Sequence, residues 1–187
     1  MAMSSKESAT ALKRTVIISI FAAVAVVLSI VEAQIPLAGM GLMPGAKLGF
    51  ANIMILTCIY FLRGRDAFVL VILKTLLTAF LLGTFSSLLF SLFGSLLSFV
   101  VMFLLVRFSG KRLSVIGISI AGGLAHNTGQ LLAASMVFNS ASILYYLPIL
   151  LVTGIVTGIL VGFAVRYLVA SLSKISLFEE FLDGRSH

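Results

Sequence analysis

The sequence predicts an all-α integral membrane protein: one domain over residues 1–187, built as a bundle of six transmembrane helices with both termini in the cytoplasm. Three observations predict it. Sixty per cent of the residues are hydrophobic and only 10% are charged, against about 45–50% and roughly 25% in soluble domains. The mean hydropathy is +1.21, which implies more apolar surface than a water-soluble chain of this length can bury. The apolar residues fall into six runs, and the basic residues gather at alternate breaks between them. A cytosolic enzyme and a secreted domain are excluded. Nucleic acid is not expected as a partner either, despite a net charge of +7 and a pI near 10.0. The charges are too few and too scattered along apolar segments to form a nucleic-acid footprint.

The six runs cover roughly 14–34, 47–62, 67–83, 86–107, 113–138 and 146–170. At about 1.5 Å per residue, each reaches or nearly reaches across a hydrocarbon core of about 30 Å. Strands are not expected, because the runs lack the alternation that a barrel needs. The first run follows a polar segment containing Lys6, Lys13 and Arg14. That order resembles a secretory signal, but the run is long for one, so it reads as an uncleaved first span. Pro36, Gly39, Gly41, Pro44 and Gly45 mark the first loop, and Arg63-Gly64-Arg65-Asp66 the second. Gly83-Thr84 marks a tight third, Ser109-Gly110-Lys111-Arg112 the fourth and Asn139-Ser140 the fifth. Eleven of the thirteen basic residues fall before the first run, at the second and fourth breaks, or at the end of the chain. The positive-inside rule puts those segments in the cytoplasm. Merging the third and fourth runs would throw this alternation out of phase, so the weak break at Gly83 is expected to be real.

The tail, 171–187, carries Leu172, Ile175, Phe178, Phe181 and Leu182 at helical spacing, with Glu179, Glu180 and Asp183 between them. It reads equally as a short amphipathic cytoplasmic helix or a frayed terminus. Cys58 is the only cysteine. It reads as a small buried hydrophobe, and neither a disulfide nor a metal framework is expected.

Small residues recur every fourth position on several runs. Gly117, Ala121, Ala125, Gly129 and Ala133 do so on the fifth, and Gly154, Gly158 and Gly162 on the sixth. Ser87, Ser91 and Ser95 do so on the fourth, and Ala25, Ser29 and Ala33 on the first. Such ladders let helix backbones approach closely. They serve either internal packing or the docking of another membrane subunit, and the first run is the best candidate for docking.

Ionisable residues inside spans are costly and therefore point to function. They are Glu32 at the outer end of the first run, Lys47 at the start of the second, Lys74 near the middle of the third and His126 in the fifth. Asn52, Asn127, Gln130, Tyr145 and Tyr146 add polar groups. Gln130 is four residues from His126 and shares its helix face. The group converges on the middle and outer half of the bundle and predicts a pocket open to the outside, capped by 35–46. Lys47, Lys74 and Glu32 sum to one positive charge, which suits an anionic or strongly polar ligand. The bland readings are an interfacial Glu32–Lys47 pair, a snorkelling Lys47, a core histidine, a Lys74 bonded to carbonyls and an aromatic belt at Tyr145 and Tyr146.

No phosphate-binding G-x-x-x-x-G-K-[ST] loop is present, so the chain is not expected to hydrolyse ATP itself. There is no H-E-x-x-H, no G-x-S-x-G and no aspartate pair to hold Mg²⁺ on a diphosphate. No catalytic residue, cofactor or metal is expected.

The stretches Pro44-Gly45-Ala46-Lys47-Leu48-Gly49-Phe50-Ala51-Asn52-Ile53, Ala125-His126-Asn127-Thr128-Gly129-Gln130-Leu131 and Leu144-Tyr145-Tyr146-Leu147-Pro148 resemble the Gx transporter family. Members of that family are often labelled heptaprenyl diphosphate synthase component I. The resemblance covers roughly 14–170. The family is similar in turn to the substrate-binding S components of energy-coupling-factor vitamin importers, six-helix proteins whose first helix offers a small-residue face to a transmembrane coupling subunit above two ATPases. The resemblance implies a transport component in the cell membrane, with a small-molecule ligand, the lipid bilayer, a coupling subunit and ATPase subunits as partners. Ala25, Ser29 and Ala33, or alternatively Ser19 and Ala23, would be the docking face, although the strict A-x-x-x-A form is missing. Glu32, Lys47, Asn52, Lys74, His126, Asn127, Gln130 and Tyr145 are the candidate ligand residues. The alternative is a non-catalytic membrane component of a polyprenyl diphosphate synthase, acting in isoprenoid or quinone metabolism. A third is an assembly or electron-transfer partner with no transported ligand.

Overall fold

The computed structural model describes residues 5–35, 47–83, 85–109, 112–175 and 178. Among these the chain is all-helical and forms no strand. Its helices are α1 (Ser5–Ala33), α2 (Asn52–Phe61), α3 (Gly64–Leu82), α4 (Phe85–Phe108), α5 (Val115–Val137) and α6 (Leu147–Leu172), with a 3-10 helix, Ala141–Tyr146, before α6. Among the described residues, three segments are long and apolar enough to cross a membrane: Ser8–Ala33, Phe85–Phe108 and Ala141–Leu172.

The second run departs from expectation. A helix over all of 47–62 would be span-like, but α2 has 10 residues and is about 15 Å long, half a hydrocarbon core. Residues 47–49 are not helical. Gly49 has φ +88°, a left-handed conformation that disfavours any residue with a Cβ. A Cβ there would also lie 3.0 Å from Asn52 Nδ2 and 3.1 Å from His126 Cδ2.

What α2 lacks in length it has in burial. Eight of its residues are buried, as expected of a helix apolar on all sides. It touches all five other helices. Around it, α1 packs on α3, α3 on α4, α4 on α5 and α5 on α6. Ile55, Leu56, Ile59 and Phe61 of α2 meet Ile17 and Phe21 of α1, Leu70 and Val71 of α3 and Met102 of α4 in one core cluster. Phe178 joins this core, 6.2 Å from the Phe21 ring and 4.9 Å from the Phe61 ring. The rest of the tail beyond Ile175 lies outside the described residues, as do 36–46 and the Gly110-Lys111 turn.

One end of the bundle is basic. Arg63 and Arg65 at the α2–α3 turn, Arg107 in the last turn of α4, Arg112 ahead of α5 and Arg166 late in α6 are all exposed. Arg14 of α1 is tied to Asp66 of α3 there, at 2.5 Å. The Asp66 carboxylate also accepts the Arg63 N–H at 3.0 Å, closing the first turn of α3. At the opposite end, α3 stops at Leu82 and α4 starts at Phe85. A Cβ on Gly83 would fall 1.9 Å from the Ala79 carbonyl oxygen, so glycine makes this break.

The ladders sort by what they touch. On α6, a Cβ on Gly158 would come 2.6 Å from Ile120 Cα, and one on Gly162 2.7 Å from Ile116 Cα. Gly154 lies against Gly123 of α5. This ladder is the α5–α6 seam, backbone against backbone. The strict α5 ladder packs only in part, at Gly129 and Ala133. Gly129 meets Phe93 and Gly94 of α4, but Gly117 meets only the Ser114 hydroxyl of its own cap, while Gly122 and Gly123 carry the close contacts. The helix drifts from a strict four-residue repeat because it has about 3.6 residues per turn. On α1, Ala25 is 0% and Ser29 3% exposed, so these two face the core rather than a docking partner. Ala33, Ser19 and Ala23 are exposed.

A candidate functional site of buried charges

Four elements bring polar side chains into the apolar bundle. Glu32 comes from the last turn of α1, Lys74 from the middle of α3, His126 and Gln130 from α5, and Lys47 with Gly49 and Asn52 from the segment that leads into α2. Glu32, Asn52, Lys74, His126 and Gln130 are each at most 3% exposed. Lys47 is partly buried.

The non-helical segment 47–49 takes its partners from neighbouring side chains. Gln130 Oε1 accepts the Lys47 N–H at 2.9 Å, and Gln130 Nε2 donates to the Lys47 carbonyl at 3.0 Å. One amide side chain thus satisfies both backbone groups of one residue, as a strand neighbour would. The Gly49 N–H donates to Glu32 Oε1 at 2.7 Å. The Gly49 carbonyl accepts the Asn52 N–H at 2.9 Å, starting α2. Gln130 Nε2 also lies 2.5 Å from His126 Nε2. Gly94 of α4 makes room for this pair, since a Cβ there would meet Gln130 Cγ at 2.8 Å and the His126 carbonyl oxygen at 2.9 Å.

Glu32, Lys47 and Lys74 lie within electrostatic range of one another, and His126 within range of both lysines. Two potential cations therefore share one carboxylate, whose Oε1 is already engaged by backbone. Asn52 Oδ1 and His126 Nδ1 are buried with no hydrogen-bond partner. So are Thr75 and Thr78 on α3, Ser95 and Ser98 on α4 and Ser119 on α5. Buried polar atoms are normally paired, so this interior holds an unusual store of unused hydrogen-bonding capacity.

Two predicted residues stand apart. Asn127, next to His126 in sequence, points round the helix to α6, where its Nδ2 donates to the Leu150 carbonyl at 2.6 Å and reaches Thr153 Oγ1 at 3.3 Å. Its Oδ1 has no partner. Tyr145 sits on the 3-10 helix, 87% exposed, and is not brought to the cluster. The cap expected over 35–46 lies outside the described residues, apart from Ile35. Ile35 and Leu48 pack on Phe90, Leu131, Ala134 and Leu150. The sequence reading missed Thr75 and Thr78. Their spacing from Lys74 puts the three on one side of α3, and that periodicity was the available signal.

These features define a helical membrane-type protein whose charged, hydrogen-bonding centre is buried in the bundle, rather than open to the outside as the sequence predicts. The family described as heptaprenyl diphosphate synthase component I matches residues 21–168, and the chain belongs to that family. No curated protein and no solved structure matches it.

Proposed function

We propose that the chain is the substrate-binding integral membrane component of a small-molecule transporter of the energy-coupling-factor type. In this reading it spans the membrane six times with both termini in the cytoplasm. The basic end faces the cytoplasm, and the cluster of Glu32, Lys47, Lys74, His126 and Gln130 receives a ligand from outside. The observation that carries the reading is two lysines set around one buried carboxyl, beside the unpartnered Asn52 Oδ1 and His126 Nδ1. A structural Glu–Lys pair needs no second lysine, whereas an anionic ligand group would balance Lys74 and Lys47. Asn52 and His126 would then orient the ligand through hydrogen bonds. The chain is not itself an enzyme, and energy comes from partner ATPases through a coupling subunit. On α1 the exposed Ser19, Ala23 and Ala33 remain for that subunit.

The family's description favours a second reading, a non-catalytic membrane component of a polyprenyl diphosphate synthase. Native mass spectrometry of the protein purified with its partners separates the two. The transport reading expects ATPase subunits and a bound small molecule that is lost in Lys74→Met while the variant stays folded in detergent. A soluble, aspartate-rich subunit with prenyl-transfer activity, in place of ATPases, would overturn it. A bound molecule equally retained by Lys74→Met would remove Lys74 from the site.

A further inference from the structure

A second place in the fold is built for an amphiphile. Between the first turns of α3 and the later half of α4 lies an open groove of about 730 Å³. Its lip is Arg63 and Arg65, and its wall is Phe68, Phe99 and Phe103. The rings form a continuous surface, with Phe68 and Phe99 centroids 6.1 Å apart and Phe99 and Phe103 stacked at 5.7 Å. Gly64 gives this wall its shape, because a Cβ there would fall 2.5 Å from Phe103 Cε2. Phe68 is 47% exposed, although it belongs to an aromatic cluster.

Charge decides what would fill the groove. Asp66 is the acidic residue of this turn, and its carboxylate is spent on Arg14 and the Arg63 N–H. Both lip guanidiniums are exposed, and Arg107 lies one turn beyond Phe103 on α4. A free anion would use the guanidiniums but not the rings. An uncharged chain would use the rings but not the guanidiniums. In a bilayer the basic end lies at a headgroup level, where guanidinium pairs phosphate in a fork and apolar walls meet acyl chain.

We propose that this α3–α4 groove binds one anionic phospholipid, its phosphate held by Arg63 and Arg65 and its chain laid along Phe68, Phe99 and Phe103. The proposal needs only that the bundle sits in a bilayer. It does not depend on the transport reading.

The test is native mass spectrometry of the full chain released from nanodiscs of phosphatidylcholine with added phosphatidylglycerol. The expected result is selective retention of a single phosphatidylglycerol. Retention should weaken at least about tenfold in the Arg63→Gln/Arg65→Gln pair, since a hydrogen bond to a charged group is worth about 1.5 kcal/mol or more and 1.4 kcal/mol is tenfold. An Arg112→Gln/Arg166→Gln pair removes equal charge from the same end and should leave retention unchanged. Should the first pair not fold, Arg63→Lys/Arg65→Lys keeps the charge but not the fork and should weaken binding about threefold or more. Equal loss in both glutamine pairs would reduce the site to bulk surface charge and overturn the proposal. Equal retention of phosphatidylcholine would also overturn it. So would displacement of the phospholipid by equimolar farnesyl diphosphate, which would reassign the groove to a prenyl diphosphate.

Discussion

The Gln130 amide offers the sharpest test of how the buried cluster is built. Gln130→Leu keeps the side chain's approximate volume and removes its polar atoms. The change deletes the bond from the Lys47 N–H at 2.9 Å and the bond to the Lys47 carbonyl at 3.0 Å. It also leaves His126 Nε2 without the amide that sits 2.5 Å away. A buried backbone group left unpaired costs about 1–3 kcal/mol. Lys47 is only partly buried, so its two groups fall toward the lower end of that range. The expected loss is about 2–4 kcal/mol. Thr128→Val is the control, because the Thr128 hydroxyl bonds only to the Leu124 carbonyl of its own helix. That change should cost under about 0.5 kcal/mol. Reversible unfolding in mixed micelles gives both numbers, and hydrogen exchange at the Lys47 amide reports the local bond. Equal costs for the two variants, or an unchanged exchange rate at Lys47, would refute the view that Gln130 holds the segment leading into α2.

Other expectations follow from the same contacts. Gly158→Val puts a branched side chain where a Cβ already lies 2.6 Å from Ile120 Cα, so thermal unfolding in detergent should show a loss of about 1–3 kcal/mol from overpacking. Asp66→Ala removes the Arg14 bond and the capped turn of α3 together. A double-mutant cycle with Arg14→Ala should return a coupling of at least about 0.5 kcal/mol. Tyr145→Ala, at an 87% exposed position, should shift stability by no more than about 0.5 kcal/mol and leave retention of any bound small molecule unchanged by native mass spectrometry.

Much of the fold was legible because the bilayer imposes a simple grammar. Long apolar runs gave α1, α4 and α6 to within a few residues at most ends. Gly83 was readable as a break because the charge alternation required one there. The basic residues were legible as one set, and the structure gathers Arg63, Arg65, Arg107, Arg112 and Arg166 at one end. The second run was misread in extent because hydropathy counts side chains and ignores backbone. Nothing in the apolarity of 47–62 says that Gly49 turns left-handed or that Gln130 pairs with Lys47. In the site, Glu32, Asn52, Lys74, His126 and Gln130 stood out as polar residues in apolar runs, and all are buried. Asn127 was harder to place, since adjacent residues on a helix diverge by about 100°. That rotation carries its amide to α6. The ladders were legible as small faces, and what each one meets was not. A four-residue repeat identifies a small face but not its partner, and Ala25 and Ser29 turned inward.

The α5–α6 seam bears on how the molecule comes together. Lipid tails are as apolar as leucine, so burying oily surface gives helices in a bilayer little reason to associate. Close backbone contact does give one, and here it is concentrated in Gly123, Gly154, Gly158 and Gly162, with Gly94 and Gly129 continuing it between α5 and α4. Neither α1 nor α2 contains a glycine, and Gly64 at the start of α3 meets a side chain, Phe103 of α4. The helices synthesised last are therefore the ones with the strongest intrinsic grip on each other. Gln130 belongs to this glycine-rich group, so the segment at Lys47 takes its amide partner from the half of the bundle where the backbones lie closest.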